Sequence, residues 1–373
     1  MIARLARIVR LGVKELYSLR ADPVMLFLIV YTFTFAIYTV ASGARFEVEN
    51  AAVAVVDEDG SRLSARLKDA LLKPFFQAPT AISAREADAA LDDGRFGFIV
   101  QIPPKFEEDV VAGRHPAVGI EVDATAMSQA GNGARYVQEI VQREVLAMFP
   151  ARAVDAPVDV VVRIAFNPNL RSGWFMAVMQ VINNVTMLAV ILTGAALIRE
   201  REHGTIEHLL VMPVTPTEIM LAKVWSMGAV VLLAAALSLS FVVRGLLQVP
   251  VEGSVALFLV GAALHLFATT SMGIFLATLA RSMPQFGLLL ILTLVPLQLL
   301  SGGMTPRESM PRLVQDIMLA APTTHFVELG QAILYRGAGI EVVWKQFLLL
   351  AAIGLVLFLL SLARFRRTIS QMA

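Results

Sequence analysis

The chain contains a series of apolar runs too long and too free of charge for an ordinary soluble core, and they dictate most of what it can fold into. From Val24 to about Ala41 no charged residue occurs, and further runs cover Trp174 to Ile198, about Ile219 to Val243, about Val255 to Leu279, Phe286 to Leu300 and Phe347 to Ala363. A bilayer core about 30 Å thick calls for roughly 20 apolar helical residues. Within it every backbone polar group must be satisfied internally, so such runs form helices. Length alone, 373 residues, would suggest two or three soluble domains, but a hydrophobic share of 57% and a mean hydropathy of +0.69 argue for a membrane protein. The expected fold is an α-helical polytopic membrane protein with six transmembrane helices and an inserted extracytoplasmic α/β (α+β) domain.

Residues 1–22 read as an amphipathic cytoplasmic interfacial helix. Leu5, Ile8, Val9, Leu16 and Leu19 lie on one side, Arg4, Arg7, Arg10, Lys14 and Arg20 elsewhere. A solvated helix that only supplies positive-inside charge is the plainer alternative. The first span, 23–42, follows Asp22-Pro23. Its apolar run exceeds the roughly 7–15 residues of a signal-peptide core, so it is read as retained.

Residues 43–171 have the composition of a soluble domain. Val53 to Val56, Phe96 to Ile102, Val118 to Val122 and Val158 to Phe166 read as strands, while Arg62 to Leu72 and Ser128 to Met148 read as helices. Their alternation suggests an α/β or α+β layer structure. No phosphate loop or catalytic constellation stands out in it. The remainder, 172–373, is expected to hold the second to sixth spans, a charged amphipathic helix at 199–213 and a re-entrant outer segment at 304–335. In that segment Leu313, Val314, Ile317, Met318 and Leu319 share one face, which suits short helices packed on protein.

Polar side chains inside spans must face other helices or a water-filled path. Gln180, Asn183 and Asn184 in the second span and Gln298 in the fifth are therefore read first as interhelical hydrogen-bonding groups, with a translocation path the second reading, for which these four are the candidates. His265, alone in the fourth span, reads as a packing partner.

The stretch Arg199 to Lys223 is a charged insert between two spans. Pro213 ends its first helix. Thr215, Pro216 and Glu218 start the next as a capping box. Glu202-His203 and Glu207-His208 look like halves of a zinc motif, but the two histidines are five apart. At 3.6 residues per turn they point to different sides of a helix. No metal site is expected, and the absence of cysteine removes thiolate ligands and nucleophiles. Basic residues at the amino terminus, Arg199, Arg201, Arg281, Arg364, Arg366 and Arg367 fall on one side of six spans. Both termini and the charged insert are accordingly placed in the cytoplasm.

Glu200-Arg201-Glu202-x-Gly204-Thr205-Ile206-Glu207-x-Leu209-Leu210-x-x-Pro213 resembles the signature between the second and third spans of ATP-binding-cassette (ABC) type-2 exporter permeases. Lys14-Glu15 with Arg20-Ala21-Asp22-Pro23 is similar to that family's amino-terminal helix. Phe166-Asn167-Pro168-x-Leu170-Arg171-Ser172 is similar to its re-entry to the second span. Leu300-Ser301-Gly302, Pro306, Met310-Pro311 and Pro322-Thr323-Thr324-His325-Phe326 are similar to its re-entrant segment.

The resemblance implies a non-enzymatic transport subunit in the inner membrane of a bacterium. The implied ATPase-coupling residues are Glu200, Arg201, Glu202, Gly204, Thr205, Glu207, Leu209, Leu210 and Pro213. The implied partners are a cytoplasmic ABC ATPase subunit that holds ATP and Mg, a second permease subunit in a homo- or heterodimer, a periplasmic adaptor protein and membrane lipid, with no nucleic acid. No Gly-x-x-x-x-Gly-Lys-Ser/Thr sequence occurs in the chain itself. The competing reading is a non-transporting membrane sensor of similar architecture.

Overall fold

The computed structural model describes residues 2–43, 51–72, 75–92, 95–114, 116–122, 127–148, 171–204, 214–304, 307 and 310–370. The chain divides into two compact units, Met1–Gly43 with Gly173–Ala373, and Ala44–Ser172.

The first unit begins with α1 (Ile2–Arg20). The first span is two helical pieces, α2 (Pro23–Phe33) and α3 (Phe35–Gly43), separated at Thr34 (φ −123°, ψ −81°). Asp22 starts α2 by accepting from the Val24 and Met25 amides, both at 3.1 Å, and Pro23 fits the first turn because no amide is needed there.

The second unit is a four-stranded sheet with helices. Its elements are β1 (Val53–Asp57), α4 (Arg62–Ala70), β2 (Thr80–Ala81), α5 (Ala84–Asp92), β3 (Phe98–Ile102), α6 (Phe106–Ala112), β4 (Gly119–Val122) and α7 (Met127–Met148). Strand order is β2-β1-β3-β4, with β1 parallel to both neighbours and β4 antiparallel to β3. Covered on both faces, β1 is a continuous apolar run, as parallel central strands are. Leu63, Leu67, Phe76, Phe98, Phe106 and Val137 form the core on one side. The expected strands and helices are present with ends shifted by a few residues, apart from Val158 to Phe166, which lies outside the described residues. The exposed two-residue β2 and the helices α5 and α6 were not anticipated.

The first unit then continues with α8 (Ser172–Glu202), α9 (Pro216–Leu237) with a π-helical continuation (Ser238–Leu246), α10 (Val255–Leu279), α11 (Met283–Leu300), α12 (Arg312–Met318), α13 (Pro322–Leu334) and α14 (Ile340–Ser370). Six helices are long and apolar enough to cross a membrane, as the sequence predicts. The α8 helix is their centre: 83% of its apolar window is buried, against 11% for α11. The capping box at the start of α9 forms as expected. Glu218 N donates to Thr215 Oγ1 at 3.3 Å and Thr215 N to Glu218 Oε2 at 2.8 Å.

The α1 helix lies along α9. Gly12 faces the Trp225 ring, where any side chain would collide, and Trp225 Nε1 donates to Ile8 O at 3.2 Å. Leu5, Val9, Val13 and Tyr17, four residues apart, stay exposed as a stripe that suits a membrane interface. His265 is a packing residue. Its Nε2 lies 2.8 Å from Thr186 Oγ1 and its ring stacks on Phe326 at 4.1 Å. One expectation is corrected: α12 does not pack its apolar face on protein. Leu313 and Ile317 are 71% and 62% exposed and only Met318 is buried, whereas α13 is the buried piece, packed on α10 and α14.

Candidate functional site

The last turn of α8 ends in four consecutive charged residues, and each reaches a different neighbour. Successive helical residues point about 100° apart, so a run of charges at a bundle's end can bind in several directions at once. Arg199 pairs with Asp22, the residue that caps α2. Glu200 turns inward, its Oε2 2.7 Å from Lys223 Nζ on α9 and its Oε1 2.9 Å from Lys14 Nζ on α1. Arg201 donates to the carbonyls of Ala277 at 3.5 Å and Ala280 at 2.5 Å, the end of α10. Glu202 Oε1 accepts from Met283 N at 2.9 Å, the start of α11. Residues of α1, α2, α9, α10 and α11 thus all attach to one helical turn.

Lys223 is the core of this joint. It is 1% exposed and also bonds Glu15 Oε2 on α1 at 3.0 Å. A buried lysine is costly unless paired, and here two carboxylates surround it. Lys14 completes the ring, 3.5 Å from Glu15. Burial works against its charge, but Glu200 and Glu15 outweigh that and hold its pKa above the ordinary lysine value. For Asp22, burial opposes the charge first. The Met25 amide and Arg199 overcome it, so its carboxyl ionises below the usual range. The start of α9 is fixed further by Arg7, 2.6 Å from Glu218, and by Arg366, which donates to Thr217 Oγ1 at 3.3 Å.

Among the candidate coupling residues, Glu200, Arg201 and Glu202 lie in this joint, and Gly204 follows in a left-handed turn (φ +67°). Thr205, Glu207, Leu209, Leu210 and Pro213 lie outside the described residues. Of the path candidates, Asn184 is buried and occupied. It donates to Thr32 O on α2 at 2.7 Å and accepts from Gln180 at 2.9 Å. Asn183 and Gln298 are half-buried. Among the described residues no group of three or more histidines or carboxylates could hold a metal ion.

Glu15 and Lys223 were missed by sequence reasoning. The available signal was a lysine near the start of an apolar span, which must find a carboxylate. The partner lies 208 positions away and is not legible from spacing.

Six apolar helices, five of them tied together at one end by a charged turn, define a polytopic membrane protein. Residues 23–363 match the family described as ABC-2 family transporter protein, and the chain belongs to that family. It is 57% identical over 372 residues to the inner membrane transport permease YhhJ of Escherichia coli, covering 99% of each chain. Two further relatives from Escherichia coli carry the names probable multidrug ABC transporter permease YbhR and YbhS. The first is 26% identical over 371 residues, covering 99% of this chain and 100% of the relative. The second is 26% identical over 341 residues, 89% of each.

Proposed function

We propose that the chain is the membrane permease subunit of an ATP-driven exporter, engaged by a separate ATPase subunit through the segment 199–213. One observation carries this reading: Arg199, Glu200, Arg201 and Glu202 each bind a different helix. A push on the segment that follows them would be delivered to α1 and to the ends of four spans at once. That is what a joint between an engine subunit and a pore-forming bundle must do, because packed elements move as rigid bodies about such contacts.

In this account the termini and the joint face the cytoplasm of a bacterium, and the second unit faces outward. ATP and Mg are held by the partner. The weakly buried α11 and the exposed faces of α14 meet lipid and a second permease subunit, identical or not. The names of the relatives favour an amphipathic or hydrophobic substrate leaving across the inner membrane, and Asn183, Gln298 and Gln180 are the polar groups left to line its path. An outward domain of this size is also suited to contact a periplasmic adaptor protein.

The test is copurification from native membranes followed by ATPase assay. The expected result is that an ATPase subunit accompanies the chain and that Glu207→Arg abolishes stimulation of its activity by substrate. Recovery of the chain without any ATPase, or unchanged stimulation in Glu207→Arg, overturns the reading.

A further inference from the structure

At the opposite end of α8 from the joint lies a cavity of about 480 Å³ between the start of α8, the end of α11 and α13. Its lining is polar in an unusual way. Arg307, Arg336 and Glu328 open onto it, with Thr324 and Gln331 from α13. Neither guanidinium makes an ion pair among the described residues. Two cations against one carboxylate leave the lining net positive.

Two of its polar groups are buried without a partner. Thr324 is 2% exposed and its hydroxyl makes no hydrogen bond among the described residues, and Arg307 Nε is likewise buried and unsatisfied among them. Native proteins rarely leave such groups orphaned, and a small turn of either side chain toward a ligand oxygen in the cavity would satisfy it. Thr324 also stands in the first turn of α13, where unpaired amides favour negative charge. Also in the lining, Ser301 is right-handed (φ −75°, ψ −4°) and Gly302 left-handed (φ +92°). This succession turns consecutive backbone N–H groups toward one concave side, an arrangement that receives anions.

We propose that this cavity binds a phosphate group, with Arg307 and Arg336 gripping its oxygens and the Thr324 hydroxyl and the turn at Ser301-Gly302 donating to them. Arginine is the side chain whose planar fork matches phosphate. The group arrives either on a phospholipid headgroup or as free phosphate, and both present the same oxygens. This inference does not depend on the coupling role of the joint, because it concerns binding at the other end of the bundle.

The experiment uses the full chain in nanodiscs of phosphatidylcholine, with inorganic phosphate as the probe in equilibrium dialysis at constant ionic strength. Saturable binding is expected. Arg307→Gln, Arg336→Gln and Thr324→Val should each weaken it, the arginine changes by about tenfold or more, as the loss of a charge-assisted hydrogen bond implies. Arg312→Gln, an exposed arginine outside the cavity, should leave it unchanged. Arg307→Lys keeps the charge and should still weaken binding several-fold, which separates loss of the fork from loss of fold.

In a second arm, native mass spectrometry compares retention of phosphatidylglycerol by the wild type and by the Arg307→Gln/Arg336→Gln variant. Selective retention by the wild type identifies the lipid headgroup as the source, while phosphate binding without it identifies free phosphate. No saturable phosphate binding together with equal lipid retention overturns the proposal. So does wild-type binding in the arginine variants.

Discussion

Replacing Lys223 with methionine removes the cation from the middle of the joint while nearly preserving the volume of the stem. Its ammonium is 2.7 Å from Glu200 and 3.0 Å from Glu15, and the three side chains are 2%, 11% and 7% exposed. Breaking a buried ion pair from one side strands the other charge, at a cost of about 3–5 kcal/mol. Here two carboxylates lose this buried cation but keep the half-exposed Lys14, at 2.9 Å from Glu200 and 3.5 Å from Glu15, so the lower part of that range applies. Lys14 touches the same two carboxylates, but it is 48% exposed and solvent screens it. Lys14→Met should therefore cost less than about 1 kcal/mol.

The assay is thermal unfolding of the full chain in nanodiscs. Lys223→Met should melt well below both the wild type and Lys14→Met. Glu15→Gln and Glu200→Gln added to Lys223→Met should recover most of the loss, since the charge then left without these partners is the half-exposed Lys14, which solvent screens. Equal melting of Lys223→Met and Lys14→Met, or no recovery in the triple variant, refutes the argument.

Asn184→Leu leaves the Thr32 carbonyl without its donor and should lower stability by roughly 1–2 kcal/mol, read as an earlier melt in the same nanodiscs. Thr215→Ala removes the capping hydroxyl at the start of α9 and should cost about 1 kcal/mol, again by melting. In the second unit, Asp57 is held below the ordinary carboxylate range: burial opposes its charge, but Lys68 at 2.7 Å, the Gly60 amide and Ser64 overcome it. A depressed folded pKa stabilises above the unfolded value of about 3.9 and is lost as pH falls through the folded value. Protection of the β1 amides, taken relative to their intrinsic exchange rates, should thus fall below about pH 4, and Asp57→Asn should remove that acid-side change.

The spans were legible because lipid leaves the backbone no choice but helix, and charge marks where each run must stop. Thr215 and Glu218 were legible because a capping box is local in sequence. The break in the first span at Thr34 was not, since neither proline nor glycine marks it. It is supported from elsewhere: the Thr32 and Phe33 carbonyls near the break accept from Asn184 and from Ser238 at 2.7 Å each. Ser238 begins the π-helical turns of the third span, a change of winding for which the residues carry no period. The same limit applies to the joint. Charged residues at the end of the second span were visible, but that Glu200 faces Lys223 rather than solvent depends on how α1 and α9 lie together.

Coupling through this joint is tested most directly by proximity. The chain has no cysteine, so His203→Cys, at the exposed turn just past Glu202, can carry a photoactivated cross-linker in native membrane vesicles. The account predicts an adduct with the ATPase subunit from position 203 and none from Ala65→Cys. No ATPase adduct at 203, or labelling of that cysteine by an impermeant reagent added outside intact cells, would contradict it.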